Sequence, residues 1–273
     1  MIICLILGVI ACNKPKVAES PASIVPGAYQ LSEYLPFLAD KNVGLTINHT
    51  SLINGKHLTD TLQDLGIAVT KVFTPEHGFT GKISDGMKID YDSINTTFEL
   101  VSLYGKNKKP TKDQLTGVDV MVFDIQDVGA RFYTYISTMH YVMESCVENS
   151  IPLIILDRPN PNGSYVDGPV LDTTFQSFVG LHPIPIVHGM TIGELAQMIN
   201  EEGWLTSGKK VDLKVIKIKN WNHASQYTLP IKPSPNLPSD LSIALYPSLC
   251  LFEGTVMSVG RGTDYAFQQI GHP

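Results

Sequence analysis

The sequence is poor in cysteine and arginine, and each shortage argues against one class of function. Two of its four cysteines lie within the first 12 of 273 residues, which leaves only Cys146 and Cys250 for the rest. No group of cysteines has the spacing of a metal site. Arginine occurs only at Arg131, Arg158 and Arg261, against 17 lysines, and the net charge is −6. An acidic chain without a dense basic face is not expected to bind nucleic acid.

Several familiar motifs are also missing. No GxGxxG follows the first predicted strand and no GxxxxGK[ST] occurs, which argues against dinucleotide and P-loop chemistry. The GxSxG elbow of many serine hydrolases and the HExxH of zinc proteases are absent as well. Scattered histidines leave a zinc site open but poorly supported, so we expect neither a cofactor nor a metal. Hydrophobic residues make up 43% and charged residues 17%, which is typical of a soluble globular protein.

The N-terminal segment differs from the rest of the chain. "MIICLILGVIAC" is apolar, too short to span a bilayer, and about as long as the core of a signal peptide. "GVIAC" is similar to a bacterial lipobox, in which Cys12 would be acylated after cleavage. We therefore predict a signal and linker segment at residues 1–20, and an exported protein that is periplasmic or anchored to a membrane. An ordinary secretion signal or a frayed apolar end is the alternative.

Apolar β-type runs alternate with helical patterns from about residue 40. Continuous apolar strands separated by helices predict an α/β, Rossmann-like fold, an open and mostly parallel sheet with helices on both faces. Thr191 and Glu194 predict a capping box at one helix start. The predicted catalytic domain covers 21–230. The Pro-rich chain beyond 220 reads as irregular, and we expect 231–273 to begin a linker or second domain that is truncated.

Polar side chains gather where the predicted strands end, and ligands of open α/β sheets bind at those ends. Each cluster also has a structural interpretation: Glu76 could bond the following glycine loop, His77 could be a buried structural histidine, and tyrosines could simply pack. "RPNPNG" is a rigid turn first and a binding loop second. The candidate residues are Asn48, Glu76, His77, Asp124, Gln126, Asp127, Arg131, Tyr133, Tyr135, Asp157, Arg158, Asn160 and, further on, Glu253.

A cleft rich in carboxylates, aromatic rings and arginines suits the hydrolysis of glycosidic bonds. One carboxylic acid protonates the leaving oxygen, and a second carboxylate stabilises or attacks the oxocarbenium-like centre. The residues alone do not decide between this chemistry and a site that only binds sugar.

Long motifs carry a specific resemblance from about residue 40 to the end. "GLTINHTSL", "VFTPEHGF", "VDVMVFDIQDVGARFYTYISTM", "ILDRPNPNG", "HGMTIGELA", "PSPNLP" and "LYPSLCLFEGT" together resemble the bacterial, NamZ-like exo-β-N-acetylmuramidases. The resemblance implies release of terminal N-acetylmuramic acid from peptidoglycan-derived muramoyl saccharides. It also implies a Rossmann-like domain, a smaller C-terminal domain and a cleft between them.

Carried onto this chain, the glutamate of the family's "PEHG" motif is Glu76, the expected acid or its partner. For the second catalytic group, Asp124 and Asp127 lead, while Asp157, Glu253 and the substrate's own acetamido group stay open. A two-pronged arginine would distinguish the lactyl carboxylate of muramic acid, a role for which we favour Arg131 or Arg158. Two rival functions remain: a non-catalytic muropeptide-binding protein and a metal-dependent peptidoglycan amidase or deacetylase.

Overall fold

The computed structural model of the protein describes residues 22–76, 78–79 and 97–272. The predicted signal segment with Cys12, and His77, lie outside these residues. The described strands are β1 Asn42–Ile47, β2 Leu52–Ile53, β3 Lys56–His57, β4 Ala68–Thr74, β5 Glu99–Ser102, β6 Val120–Asp124, β7 Leu153–Leu156 and β8 Leu213–Ile216. The described α-helices are α1 Leu31–Leu38, α2 Leu58–Asp64, α3 Tyr135–Asn149, α4 Ile192–Glu201 and α5 Asp240–Leu249.

The strands build one parallel sheet, which confirms the predicted fold class. Its order is β5-β4-β1-β6-β7-β8, while β2 and β3 form a small antiparallel hairpin apart from it. From β1, the chain adds β4 and then β5 on one side of the sheet. It then crosses back to add β6, β7 and β8 on the other side of β1. Crossovers therefore leave opposite faces near β1 and β6, and a crevice opens beyond the carboxyl ends of these strands.

Side chains of the central strands alternate between two buried clusters. On β6, Val120 and Val122 pack with α1 and α2, whereas Met121 and Phe123 pack with α3 and α4. Because both faces of the sheet are covered, the strand sequence is apolar throughout instead of alternating. Each fully buried side chain of this size contributes roughly 1.5–3 kcal/mol relative to an exposed one. Helices therefore cover both faces, as predicted.

Local signals set several element boundaries. Thr191 and Glu194 form the predicted capping box at the start of α4. The expectation of irregular chain beyond 220 is wrong at α5, which has Ser239 as its N-cap and carries Pro247 inside. Proline cannot donate to the carbonyl four residues earlier. Here Asn162 Nδ2 donates to that freed oxygen, on Ile243, at 3.1 Å, so the helix continues through the proline.

The chain beyond the predicted domain boundary at 231 shares the core of the sheet domain. Ile243, Tyr246 and Phe267 belong to the same buried cluster as α3 and α4. Cys146 and Cys250 are both free thiols. None of the helices in the described ranges has the length and apolar character that crossing a membrane requires.

Candidate active site

A cavity of about 460 Å³ opens beyond the carboxyl ends of the central strands. Its lining comes from segments that follow β4 and β6, from Val179 and from the chain between 234 and 267. Its lining residues are Glu76, Phe132, Tyr133, Thr134, Tyr135, Val179, Ser234, Asn236, Leu237, Tyr246, Cys250, Glu253, Arg261 and Phe267.

Glu76 reaches the cavity from a tight turn just after β4. The Gly78 amide donates to the carbonyl of Pro75 at 3.1 Å, and Gly78 has a φ of 66°, a conformation that favours glycine. The phenol of Tyr135 donates to the Glu76 carbonyl oxygen at 3.4 Å. The backbone of Glu76 is thus fixed from both sides, and its partly buried carboxylate lines the cavity.

Glu253 brings a second carboxylate to the cavity. It lies in a 3₁₀ helix, Cys250–Gly254, that continues directly from α5. Glu253 Oε1 accepts from Arg261 Nη1 at 2.6 Å, and Oε2 accepts from the Cys250 thiol at 3.1 Å. Burial raises the pKa of Cys250 to about 12, so the thiol keeps its proton and remains a donor near neutral pH. Two neighbours therefore hold Glu253 in place.

Aromatic rings also line the cavity. Tyr133 packs edge-on against Tyr135 and Tyr246, with ring centroids 4.9 and 5.9 Å away, and Tyr246 packs in the same way against Phe267. The phenol of Tyr133 donates to the Pro233 carbonyl at 2.8 Å. This bond joins the segment after β6 to the chain that precedes Ser234. Burial raises the pKa of Tyr133 and Tyr135, so both phenols are neutral donors. The rings pack chiefly on one another.

Asp124 and Arg158, a predicted catalytic and a predicted binding residue, lie together inside the protein. Arg158 Nε and Nη2 donate to the two Asp124 oxygens at 2.5 and 2.8 Å, a two-pronged pair with side chains 5% and 0% exposed. Neither lines the cavity. The geometry therefore favours a structural role for both, and neither is carried into the proposal below.

Asp127 and Arg131 also have partners away from the cavity lining. Asp127 Oδ2 accepts from the Gly129 amide at 2.7 Å and lies 3.6 Å from His188 Nε2. Arg131 Nη1 donates to the carbonyls of Pro169 and Ile184, at 2.7 and 2.5 Å, and so braces two loop segments. The alternative that arginines brace turns fits Arg131 as well as Arg158.

The predicted residues at the end of β7 hold the start of α4. Asp157 accepts from Thr191 Oγ1 at 2.9 Å and from the Gly193 amide at 2.8 Å. Burial raises the pKa of Asp157 to about 7 although these bonds oppose the shift. Asn160 Nδ2 donates to the Met190 carbonyl at 2.8 Å. Both are buried and neither lines the cavity.

Asn48 and Gln126 join neighbouring strand ends. Asn48 Oδ1 accepts from the Thr50 amide and hydroxyl at 2.9 and 2.6 Å, and Gln126 Nε2 donates to the carbonyls of Asp127 and Pro159 at 2.8 and 2.7 Å. Neither side chain lines the cavity.

The structure thus brings a few of the predicted site residues into the cavity, namely Glu76, Tyr133, Tyr135 and Glu253. Sequence reasoning missed Ser234, Asn236 and Tyr246, although the motifs that contain them, "PSPNLP" and "LYPSLCLFEGT", were already singled out. It also noted Arg261 but preferred the other two arginines. Within the described ranges, no group of three His, Cys, Asp or Glu side chains is arranged to hold a metal ion.

Comparisons with known proteins agree with one another. A family model described as "Exo-beta-N-acetylmuramidase NamZ, N-terminal" matches residues 43–241, and its C-terminal counterpart matches 244–273. The peptidoglycan β-N-acetylmuramidase NamZ of Bacillus subtilis is 44% identical over 96% of this chain, which spans 63% of that relative's length.

Two crystal structures of DUF1343 family proteins from Bacteroides fragilis have the same fold. One has a TM-score of 0.84 and 47% identity, with 92% of this chain and 67% of the other covered. The second has a TM-score of 0.81 and 35% identity, with 90% and 65% covered.

Proposed function

Because the chain belongs to the exo-β-N-acetylmuramidase NamZ family, we propose that it is a glycoside hydrolase releasing terminal N-acetylmuramic acid from peptidoglycan fragments. Attack at the non-reducing end would make it an enzyme of cell-wall turnover. Since the chain spans 63% of the curated relative, the activity of the whole relative supports this proposal without deciding it.

The observation that carries the proposal is a cavity lined by two carboxylates and by a cluster of aromatic rings. Of the carboxylates predicted for catalysis or binding, Glu76 and Glu253 line the cavity, whereas Asp124, Asp127 and Asp157 do not. Glycoside hydrolysis requires an acid that protonates the leaving oxygen and usually a second carboxylate.

We assign the acid to Glu76, whose backbone is fixed by the turn after β4 and by the Tyr135 phenol. Glu253 is the second carboxylate in this proposal. Its hydrogen bonds to Arg261 and to the Cys250 thiol hold its carboxylate in place, where it would stabilise positive charge at the anomeric carbon or activate water. Participation by the acetamido group of the substrate would leave Glu253 a purely electrostatic role.

The test is release of N-acetylmuramic acid from a muramoyl-glucosamine disaccharide by the protein and by its Glu76→Gln variant. We expect turnover by the parent and at least roughly a hundredfold loss in the variant, because a general acid contributes about that much. Glu201→Gln is the matched control. Glu201 is an exposed residue of α4 that pairs with Lys210 and does not line the cavity.

Other outcomes point to other functions. Equal turnover by parent and Glu76→Gln would contradict the assignment of the acid. Binding of the disaccharide without turnover would support a non-catalytic sugar-binding protein, and activity that a chelator abolishes would support a metal-dependent amidase.

Export remains a separate part of the proposal. We propose that residues 1–20 direct secretion and that Cys12 becomes acylated, on the strength of the "GVIAC" pattern alone. Labelling of the parent but not of Cys12→Ser with a fatty-acid probe, together with a shift from membrane to soluble fraction, is the expected result. Equal labelling of both would contradict it.

A further inference from the structure

The protein has few arginines, and the structure gives them sharply different positions. The Arg158 side chain is 5% exposed and fully engaged with Asp124. Arg131 braces two loop carbonyls and does not line the cavity. Arg261 is 42% exposed and lines the cavity, where it is the cationic side chain among the described lining residues.

A specific turn presents Arg261 to the cavity. Gly260 and Gly262, on either side of it, have φ values of 75° and 80°, which non-glycine residues rarely adopt. A side chain at Gly260 would also meet the Tyr265 carbonyl at 2.8 Å, so the turn packs closely against the chain that follows. Arg261 Nη1 donates to Glu253 Oε1 at 2.6 Å, which sets the position of the guanidinium on the cavity wall.

From this arrangement we propose that Arg261 binds the lactyl carboxylate of the N-acetylmuramic acid residue and so determines the specificity of the cavity. The inference rests on the proposed function, since it names the group of that substrate which this wall recognises. N-acetylmuramic acid and N-acetylglucosamine differ by the lactyl ether and its carboxylate, so a site that selects the former needs a cation at this point.

The chemistry of arginine fits this task better than that of lysine. A guanidinium carries five N–H donors in a planar fork that matches a carboxylate, and it can serve two carboxylates at once. Glu253 accepts from Nη1 and helps to orient the plane, and in this proposal N–H groups of the same guanidinium also bind the lactyl carboxylate. The pair with Glu253 also offsets part of the charge of Arg261 before the substrate binds. This lowers the free-energy cost of removing water from the guanidinium when the substrate binds.

The experiment compares the parent with Arg261→Leu and Arg261→Lys on three 4-nitrophenyl glycosides. These carry N-acetylmuramic acid, its lactyl methyl ester and N-acetylglucosamine. We expect Arg261→Leu to lower kcat/KM on all three glycosides, because Arg261 also holds Glu253, and to lower it about 10- to 100-fold more on the free acid than on the other two, as for the loss of a charge-assisted bidentate contact. Arg261→Lys should recover part of the loss, because it restores charge without the fork.

Lys210→Leu is the matched control, because it removes an exposed cation that pairs with a glutamate outside the cavity. The ester also tests the inference in the unmodified parent, so the result does not depend on a variant that folds. A parent that prefers the acid over the ester at least tenfold supports the role, and no preference overturns it.

Failure of the inference and failure of the proposed function look different. Equal losses on all three glycosides in Arg261→Leu would show that Arg261 only holds Glu253, which overturns the inference and leaves the glycosidase intact. If the parent hydrolyses none of them, the proposed function fails. Calorimetric binding of free N-acetylmuramic acid and its methyl ester then decides the inference: weaker binding of the ester supports it, and equal binding overturns it.

Discussion

Two arginine–carboxylate pairs in this protein differ both in their hydrogen bonds and in their exposure to solvent. Arg158 and Asp124 form a two-pronged pair in the interior, with side chains 5% and 0% exposed. Arg261 and Glu253 form a single-donor pair on the cavity wall, with side chains 42% and 28% exposed. The interior pair has no route to a ligand, whereas the cavity pair can exchange or share its partner.

The difference shows what burial does to the same ionic contact. Removing two charges from water costs several kcal/mol per ion, which the interior pair recovers only because both prongs of Arg158 meet Asp124. The cavity pair keeps water nearby, so its contribution to stability is small and its groups remain available for chemistry. We therefore assign the proposed function to the more exposed pair, Arg261 and Glu253.

The largest expected effect comes from breaking the interior pair. Asp124→Asn removes the anion but leaves the Arg158 guanidinium buried without a counter-charge, so we expect the free energy of unfolding to fall by about 3–5 kcal/mol. Urea unfolding followed by circular dichroism measures it. Asp64→Asn, which breaks the exposed Lys56–Asp64 pair, is the control and should change stability by less than about 1 kcal/mol.

A second variant shows whether charge is the cause. Adding Arg158→Met to Asp124→Asn removes the stranded cation, so the double variant should be more stable than Asp124→Asn alone. A double variant that loses as much as the two single variants combined would mean that packing, not the unpaired charge, sets the cost.

The next largest effect concerns Asp157, a buried carboxyl that is not paired with an arginine side chain. Asp157 accepts from neutral donors, the Thr191 hydroxyl and the amides of Gly193 and Arg158, and burial raises its pKa to about 7. The native state then keeps a proton that the unfolded chain releases near pH 4. Stability should therefore fall as pH rises from about 4 to 7, by at most about 1.4 kcal/mol per pH unit, and the effect should level off above that range.

Asp157→Asn removes this titration, so the difference in unfolding free energy between parent and variant should change with pH between 5 and 7. The difference is the relevant quantity, because burial lowers the pKa of His57, His140 and His182, and these groups favour folding as pH rises. A difference that stays constant from pH 5 to 8 would contradict the raised pKa of Asp157.

The sequence was sufficient to predict the sheet, because its signals are local. Apolar runs at β1, β4, β6 and β7 and the capping box at Thr191 each depend on neighbouring residues, and the parallel arrangement follows from their alternation with helices. Strand β5 was missed, since Glu99–Ser102 is short and only moderately buried.

The site was harder to predict, because burial and pairing are tertiary properties. Arg131, Arg158 and Arg261 all lie in segments rich in Gly, Pro or aromatic residues, and nothing local shows which one a carboxylate from another strand will take. Glu76 was found because its turn lies at a strand end. Much of the remaining lining comes from chain after 231 that packs on the same core, a contact between segments 100 or more residues apart in sequence.

The smallest expected effect, on stability, comes from breaking the cavity pair. Glu253→Gln removes the anion beside Arg261, but the Arg261 side chain is 42% exposed and water can replace its partner, so unfolding free energy should change by less than about 1 kcal/mol. Turnover of the muramoyl disaccharide should nevertheless fall, because Glu253 is the second carboxylate of the cavity. A loss of stability comparable to that of Asp124→Asn, with turnover unchanged, would make this pair structural and erase the contrast between the two.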